Sequence, residues 1–184
     1  NSLESAVAEC GLVIAASARS RRIPWPMLTP EQCASKILSE KDTNQAALVF
    51  GREDSGLNND ELQLCNYHVQ IPTSETYSSL NLAAAVMVIC YELRKAGHNK
   101  SALTALDEKE FWDQEKATVK QVESFYEHLE RILIMIGFHD PENPRQLMHR
   151  IRRLFGRIRI DIMELNILRG ILTNVEKKVE DKQD

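Results

Sequence analysis

Short apolar runs that alternate with helical patterns constrain this fold more than any other feature of the sequence. "GLVIAAS" at 11–17 and "AALVF" at 46–50 are partly β-branched, and each predicts a buried parallel strand. "YHVQI" predicts a third strand, which Pro72 ends. Strands separated by helices predict an α/β fold with a mainly parallel sheet.

Capping residues mark the helices of this first half. Thr29 is placed as an N-cap with Pro30 at the first helical position, and Asn58 or Asn59 begins one or two further turns. A long apolar helix follows, predicted over 79–96. The predicted order is therefore strand, helix, strand, short helix, strand and long helix.

The second half of the chain predicts helices only. Polar residues over 97–116 predict a linker, and apolar residues at helical spacing then predict helices near 118–136, 143–157 and 161–179. We therefore divide the chain into an α/β domain at 1–96, a linker at 97–116 and a small all-α unit at 117–184.

Composition narrows the class of protein. The chain of 184 residues is 43% apolar and 27% charged with a formal net charge of −4, and its apolar segments are interrupted by polar residues, which argues against a membrane span. We expect no metal site, because the cysteines and histidines lack ligand spacing. We expect a cytoplasmic protein, whose cysteines are reduced and mostly buried. The cysteines are Cys10, Cys33, Cys65 and Cys90.

Three loops follow the predicted strands, at 16–22, 51–57 and 72–79. Ligands of open parallel sheets bind beyond the carboxyl ends of the strands, so these loops are expected to converge on one site. Neither GxxxxGK[ST] nor GxGxxG occurs, which argues against nucleoside triphosphate chemistry. Ser78, Ser79 and Asn81 open the long helix, and helix capping accounts for only one of the three.

These loops resemble the motifs of a known family. "FGREDSGL" matches the second motif and "IPTSETYSSLNLAAAVMVICYE" the third motif of the SPOUT superfamily of trefoil-knot RNA methyltransferases. "SARSRRIPWPML" and "RRLFGRIRI…ELNILRGIL" extend the resemblance to the bacterial TrmJ-type tRNA (cytidine/uridine-2′-O-)-methyltransferases, over nearly the whole chain.

The resemblance implies a fold, a cofactor and a partner. The α/β domain is expected to carry a deep C-terminal trefoil knot that binds S-adenosyl-L-methionine, and the enzyme is expected to be a homodimer that pairs through the helix at 79–96. By motif match, the residues expected to bind the cofactor are Ala16, Ser17, Ala18, Gly51, Ile71, Ser78, Ser79 and Leu80.

The resemblance also gives candidate catalytic residues, Glu53, Ser79 and Asn81. Two alternatives stay open: Glu53 beside Arg19 or Arg52 would only fix the loop, and Asn81 would hydrogen-bond within the knot or to the partner subunit. Tyr77 either borders the substrate ribose or is a packing residue.

The family's first motif, of the N-x-G-x-x-x-R type, does not occur in the sequence. That motif carries the arginine expected to assist deprotonation of the ribose hydroxyl. We therefore expect the N-terminal part of the α/β domain to be absent from this chain. We also expect methyl transfer by the chain alone to be impaired.

A cluster of arginines marks the all-α unit. "RQLMHRIRRLFGRIR" at 145–159 contains six arginines and no acid, interleaved with apolar residues. One alternative is a solvated face balanced by Glu142, Asp161 and Glu164; the other is a cationic side that grips tRNA phosphates. The candidate RNA-binding residues are Arg19, Arg52, Arg150, Arg152, Arg153 and Arg157.

The resemblance thus implies S-adenosylmethionine-dependent 2′-O-methylation of a pyrimidine ribose in the tRNA anticodon loop. The rival from another class is a non-catalytic RNA-binding module that retains a cofactor-like pocket, and a second enzymatic rival is methylation of the base.

Overall fold

The parallel sheet forms the centre of the first half of the molecule. The computed structural model describes residues 2–17, 25–74, 80–99 and 115–181. In the first half the elements are α1 (Leu3–Val7), β1 (Leu12–Ala16), β2 (Met27–Leu28), α2 (Pro30–Glu40), β3 (Ala46–Phe50), α3 (Asn59–Gln63), β4 (Tyr67–Val69) and α4 (Leu82–Asn99). In the second half they are α5 (Val119–Met135), α6 (Leu147–Ile158) and α7 (Ile162–Glu180).

Strand β1 lies inside the sheet, whose order is β2-β4-β1-β3 with all pairs parallel. Leu12 through Ala15 are fully buried. Side chains of a strand point alternately to its two faces, and here Val13 and Ala15 join one apolar cluster while Leu12 and Ile14 join another. Burial on both faces explains why β1 is apolar without alternation.

Different elements cover the two faces. Val7 of α1 and Leu62 of α3 lie in the cluster of Val13 and Ala15. Cys33 of α2 and Ile89 of α4 lie in the other cluster, and α2 packs against α4. Cys10, Cys33 and Cys65 are buried and Cys90 is exposed, all as free thiols, which confirms the cysteine prediction.

The starts of α2 and α3, which were predicted from capping residues, are confirmed. Thr29 caps α2 and Asn58 caps α3, and each forms a reciprocal capping box with the glutamine or glutamate three residues on. Helix α4 continues to Asn99, three residues into the stretch predicted as linker. Helix α6 begins at Leu147 rather than near 143, because Arg145 adopts a positive φ of 50° that interrupts a right-handed helix.

The sequence patterns did not predict two short elements, α1 and β2. Strand β2 lies in a stretch read as loop, directly after Pro26. A proline has no N–H to donate, but the Pro26 carbonyl accepts a hydrogen bond from the His68 N–H at 2.9 Å, and Met27 then pairs in register with His68. Edge strands tolerate such a proline.

The second half packs α5, α6 and α7 around its own apolar core. The buried members of that core are Ala117, Phe125, Tyr126, Ile132, Ile160, Leu165 and Leu172. Phe155 of α6 meets the ring of Phe125 edge to face, with centroids 5.1 Å apart. Among the described residues, no helix is long and apolar enough to cross a membrane.

Candidate active site

Three loops leave the same edge of the sheet. Ala16, the last residue of β1, is in register with Phe50 at the end of β3 and with Val69 at the end of β4. The Ser17 N–H donates to the Val69 carbonyl at 3.1 Å, which ties the first loop to β4. The loops that begin at Ser17, Gly51 and Gln70 therefore start side by side, and their convergence on one site stays a prediction.

The loop after β3 is a closed turn that requires two glycines. Arg52 and Gly56 exchange backbone hydrogen bonds of 3.2 and 2.8 Å, and Gly56 has a φ of 71°, which favours glycine. A Cβ atom on Gly51 would lie 2.3 Å from the carbonyl carbon of Gly56. Gly51 is therefore needed to close this turn, whatever it also offers a ligand.

Arg52 is held by Glu61, not by the neighbouring acid of the motif. Its Nη1 and Nη2 donate to Glu61 Oε2 and Oε1 at 3.2 and 2.8 Å. This fork and the hydrogen bond from the Asn58 N–H lower the pKa of Glu61, and the fork raises the pKa of Arg52. Glu53 lies exposed in the turn, while Ser55 donates to Asp54 at 2.8 Å.

The described part of the third loop supplies apolar surface and a helix cap. Ile71 is half-buried against the cluster that contains Ile14, and Leu80 is 41% exposed. The Asn81 side chain accepts a hydrogen bond from the Ala83 N–H at 2.8 Å, so it caps α4. Five residues named from the sequence lie outside the described residues: Ala18, Arg19, Tyr77, Ser78 and Ser79.

The first loop returns to the sheet at Trp25. Its indole Nε1 donates to the Cys65 carbonyl at 2.8 Å, and its ring stacks on buried His68 with centroids 5.6 Å apart. Trp25 therefore fixes the end of this loop to the sheet. Among the described residues, no three or more His, Cys, Asp or Glu side chains form a group that could hold a metal ion.

The arginines of α6 do not share one environment. Arg150 and Arg157 are exposed, and Arg153 is partly buried. The guanidinium of Arg152 pairs with Glu123 and lies 4.5 Å from the centroid of the Tyr126 ring. Its charge is thus matched within the helical unit, and its contact with RNA stays a prediction.

Arg159, the last of the six arginines at 145–159, is buried and joins the two halves of the molecule. It forms a bidentate ion pair with Glu40, and Nη2 also donates to the Gly11 carbonyl at 2.8 Å. Burial by itself raises the pKa of Glu40, but the hydrogen bonds and charge of Arg159, with those of Lys36, outweigh it and hold that pKa below its ordinary value. Arg159 therefore lies neither on a solvated face nor on one that is free to meet phosphates.

Sequence reasoning missed the two acids that hold these arginines. Glu61 and Arg52 are nine positions apart, and Glu40 and Arg159 are 119 apart. Only Glu61 carried a usable signal, because a glutamate three residues after Asn58 indicates a capping box. The local sequence indicated Lys36, four residues earlier in α2, as a partner of Glu40, but nothing in it indicated Arg159.

Comparison with known proteins identifies the family. Residues 2–91 match the SpoU rRNA Methylase family, and residues 120–184 match the C-terminal domain of the tRNA methyltransferase TrmJ. The chain is 48% identical over 182 residues to the tRNA (cytidine/uridine/adenosine-2′-O-)-methyltransferase TrmJ of Pseudomonas aeruginosa, covering 96% of this chain and 71% of that protein. It is also 48% identical to the tRNA (cytidine/uridine-2′-O-)-methyltransferase TrmJ of Yersinia pestis, over 97% of this chain and 69% of that protein.

Solved structures agree with this assignment. TrmJ from Z. mobilis ZM4 superimposes with a TM-score of 0.76 at 29% identity, over 95% of this chain and 71% of that one. A probable methylase family protein from Haemophilus influenzae Rd KW20 gives a TM-score of 0.54 at 38% identity, over 99% and 73% of the two chains. The chain therefore belongs to the TrmJ family of tRNA 2′-O-methyltransferases.

Proposed function

We propose that this protein transfers a methyl group from S-adenosyl-L-methionine to the ribose 2′-hydroxyl of a pyrimidine nucleotide in the anticodon loop of tRNA. One observation carries the proposal: the loops after β1, β3 and β4 leave the sheet side by side, and the β3 loop has the G-R-E-D-S-G motif. The carboxyl edge of a parallel sheet is the usual ligand site of such folds.

The described residues at this edge suit S-adenosylmethionine. Ala16, Ser17 and Gly51 are small and half-buried, while Ile71 and Leu80 add apolar surface, part of it exposed. Small and apolar residues let an adenine ring approach the backbone closely. Ala18, Ser78 and Ser79 complete the proposed pocket, and we propose that the third loop threads a trefoil knot around it.

The protein's own task is to position a poor nucleophile. When bound, the cofactor supplies an electrophilic methyl group, and the enzyme must hold the ribose hydroxyl in line with it and remove its proton. We assign orientation of the ribose to Asn81 and Ser79 and an electrostatic role to Glu53. Asn81 already caps α4, so its amide nitrogen is the part left for the substrate.

The tRNA is proposed to contact the all-α unit, 117–184, as well as the catalytic part, 1–96. Arg150 and Arg157 are exposed on α6, and α6 also contacts α3, which holds Arg52 through Glu61. The helix that carries Arg150 and Arg157 thus contacts the short helix that holds Arg52. Lys and Arg contacts to phosphates dominate such recognition, together with the shape of the RNA.

We propose a cytoplasmic homodimer that pairs through α4. Three apolar residues of this helix, Val86, Met87 and Tyr91, are 36%, 69% and 62% exposed in the single chain. Exposed apolar patches favour burial against a partner, and in a two-fold symmetric dimer the same patch of each chain packs against its copy.

A methyl-transfer assay with two matched RNAs tests the function. The enzyme, with labelled S-adenosylmethionine, is given a tRNA transcript and the same tRNA carrying a single 2′-deoxyribose at the target pyrimidine. We expect label in the first RNA only, and calorimetric titration with S-adenosylhomocysteine should give one saturable site per chain.

Each rival predicts a different outcome. Equal labelling of both RNAs would mean methylation of the base. Tight tRNA binding without S-adenosylhomocysteine binding or labelling would support the non-catalytic RNA-binding module. Because the family's first motif does not occur in the sequence, a second assay uses the chain joined to that segment from the Pseudomonas aeruginosa relative; the proposal fails if labelling is absent there too.

A further inference from the structure

Glu61 makes more contacts than its place in the helix requires. Its Oε2 accepts the Asn58 N–H at 2.8 Å, which completes the capping box of α3. The same oxygen accepts Arg52 Nη1, and Oε1 accepts Arg52 Nη2. One carboxylate thus caps a helix and fixes an arginine on the loop after β3.

Other helices of this protein show that capping does not need the carboxylate. The capping boxes of α2 and α5 place Gln32 and Gln121 at the position that Glu61 occupies in α3. A glutamine has one side-chain oxygen, which suffices to accept the N-cap N–H. The second oxygen of Glu61 accepts from Arg52, and the negative charge strengthens that contact, which a glutamine could not match.

Arg52 is held by Glu61 but remains exposed enough to bind a ligand. The Arg52 side chain is 61% exposed, whereas that of Glu61 is 17% exposed. A guanidinium has five N–H donors, and the fork to Glu61 uses two of them. The remaining donors are in a fixed plane beside the edge where the three loops begin, which suits bidentate binding of a phosphate.

We propose that Glu61 is a positioning residue for tRNA: it holds the Arg52 guanidinium in the orientation that receives a backbone phosphate of the substrate. This inference rests on the proposed function, because it takes tRNA as the substrate. Side chains ordered before binding lose less conformational entropy when the complex forms, and that is the benefit Glu61 gives Arg52.

The effect of Glu61→Gln on tRNA affinity separates this role from simple electrostatics. The substitution keeps the cap but removes a negative charge near the RNA, so charge alone predicts tighter binding. Positioning predicts the opposite, a dissociation constant about three- to tenfold higher. Glu164→Gln is the matched control, since Glu164 fills the same place in the capping box of α7 and is not at the loops.

Fluorescence anisotropy with labelled tRNA at several salt concentrations measures this, for the wild type, both glutamine variants, Arg52→Ala and the double variant of Arg52 and Glu61. We expect Arg52→Ala to weaken binding about tenfold and lower the salt slope by about one. Glu61→Gln should add nothing to Arg52→Ala, because it acts through that residue. S-adenosylhomocysteine affinity and urea midpoints should be unchanged in all of them.

The outcomes distinguish this inference from the proposed function. Wild-type protein that binds tRNA while Glu61→Gln binds equally or more tightly overturns the positioning role and leaves the function standing. Additive losses in the double variant also overturn it. Wild-type protein that binds no tRNA overturns both.

Discussion

Two arginine–carboxylate pairs with the same bidentate chemistry lie in opposite environments. Arg159 is buried and Glu40 is largely buried, with side chains 5% and 13% exposed, where the helical unit meets the residues before β1. Arg52 and Glu61 lie after β3, and the Arg52 side chain is 61% exposed. The first pair is at the amino end of the sheet strands, and the second is at the carboxyl end.

Burial decides what each pair contributes. Removing one partner of a buried pair leaves a charge without compensation, which is strongly destabilising, whereas exposed pairs contribute little to stability. The Val119 N–H to Cys10 carbonyl bond, at 3.0 Å, reinforces the junction near Arg159. We infer that Arg159 holds the two halves together and that Arg52 is available for binding.

Arg159→Ala should produce the largest loss of stability. It removes the partner of Glu40 and the donor to the Gly11 carbonyl, so we expect the free energy of unfolding to fall by about 3–5 kcal/mol. Urea denaturation measures this. Exposed Arg157 is the control, and a similar loss in Arg157→Ala would remove the contrast between buried and exposed arginines.

Glu40→Gln should cost about 1.5–3 kcal/mol near neutral pH, because hydrogen bonds between charged groups are lost. The pKa of Glu40 is lowered in the folded state, so its contribution is present above the ordinary value of about 4.3 and disappears as the pH falls through the lower folded value. Urea midpoints of wild type and variant should therefore stay apart at neutral pH and converge as the pH falls below the ordinary pKa of the carboxyl group. A gap that stays constant with pH would contradict this.

Gly51→Ala should distort the turn at the carboxyl edge, since its Cβ would lie 2.3 Å from the Gly56 carbonyl carbon. We expect a loss of about 1–3 kcal/mol and weaker S-adenosylhomocysteine binding, measured by urea denaturation and calorimetry. Gly170→Ala in α7 is the control: no atom lies within 4 Å of the added Cβ, and alanine favours a helix. Equal behaviour of the two variants would refute the closed turn.

The smallest effect on stability is expected for Glu61→Gln. Its pair with Arg52 is exposed and glutamine preserves the cap, so the urea midpoint should not change. Asn58→Ala removes the cap itself and should cost about 1 kcal/mol. If Glu61→Gln were as destabilising as Asn58→Ala, the ion pair would be structural and the comparison of the two pairs would fail.

Local patterns predicted what depends on neighbouring residues. The apolar runs of β1 and β3 and the caps Thr29 and Asn58 are where the sequence placed them, because burial on two faces and orphan N–H groups leave local signatures. Strand β2 was missed because two residues after a proline carry no periodicity.

At the site, the sequence predicted the meeting of three loops and a motif rich in glycine. The sequence did not reveal that the turn at 51–56 leaves no room for a side chain on Gly51. It also did not reveal that Asn81 is the residue that caps α4, or that Glu61 holds Arg52. Each of these depends on which atoms a folded loop brings together, and several residue types satisfy the same local pattern.

The sequence by itself determined the fold class and the capped helices, since these follow from periodicity and backbone chemistry, and its motifs resemble those of the TrmJ family. Only the tertiary structure decided which arginines are buried and which are open. Arg152 and Arg159 look like Arg150 and Arg157 in the sequence, but Glu123 and Glu40 reach the first two from other helices. The environment of a charge depends on partners remote in sequence, and these are fixed only when the chain packs.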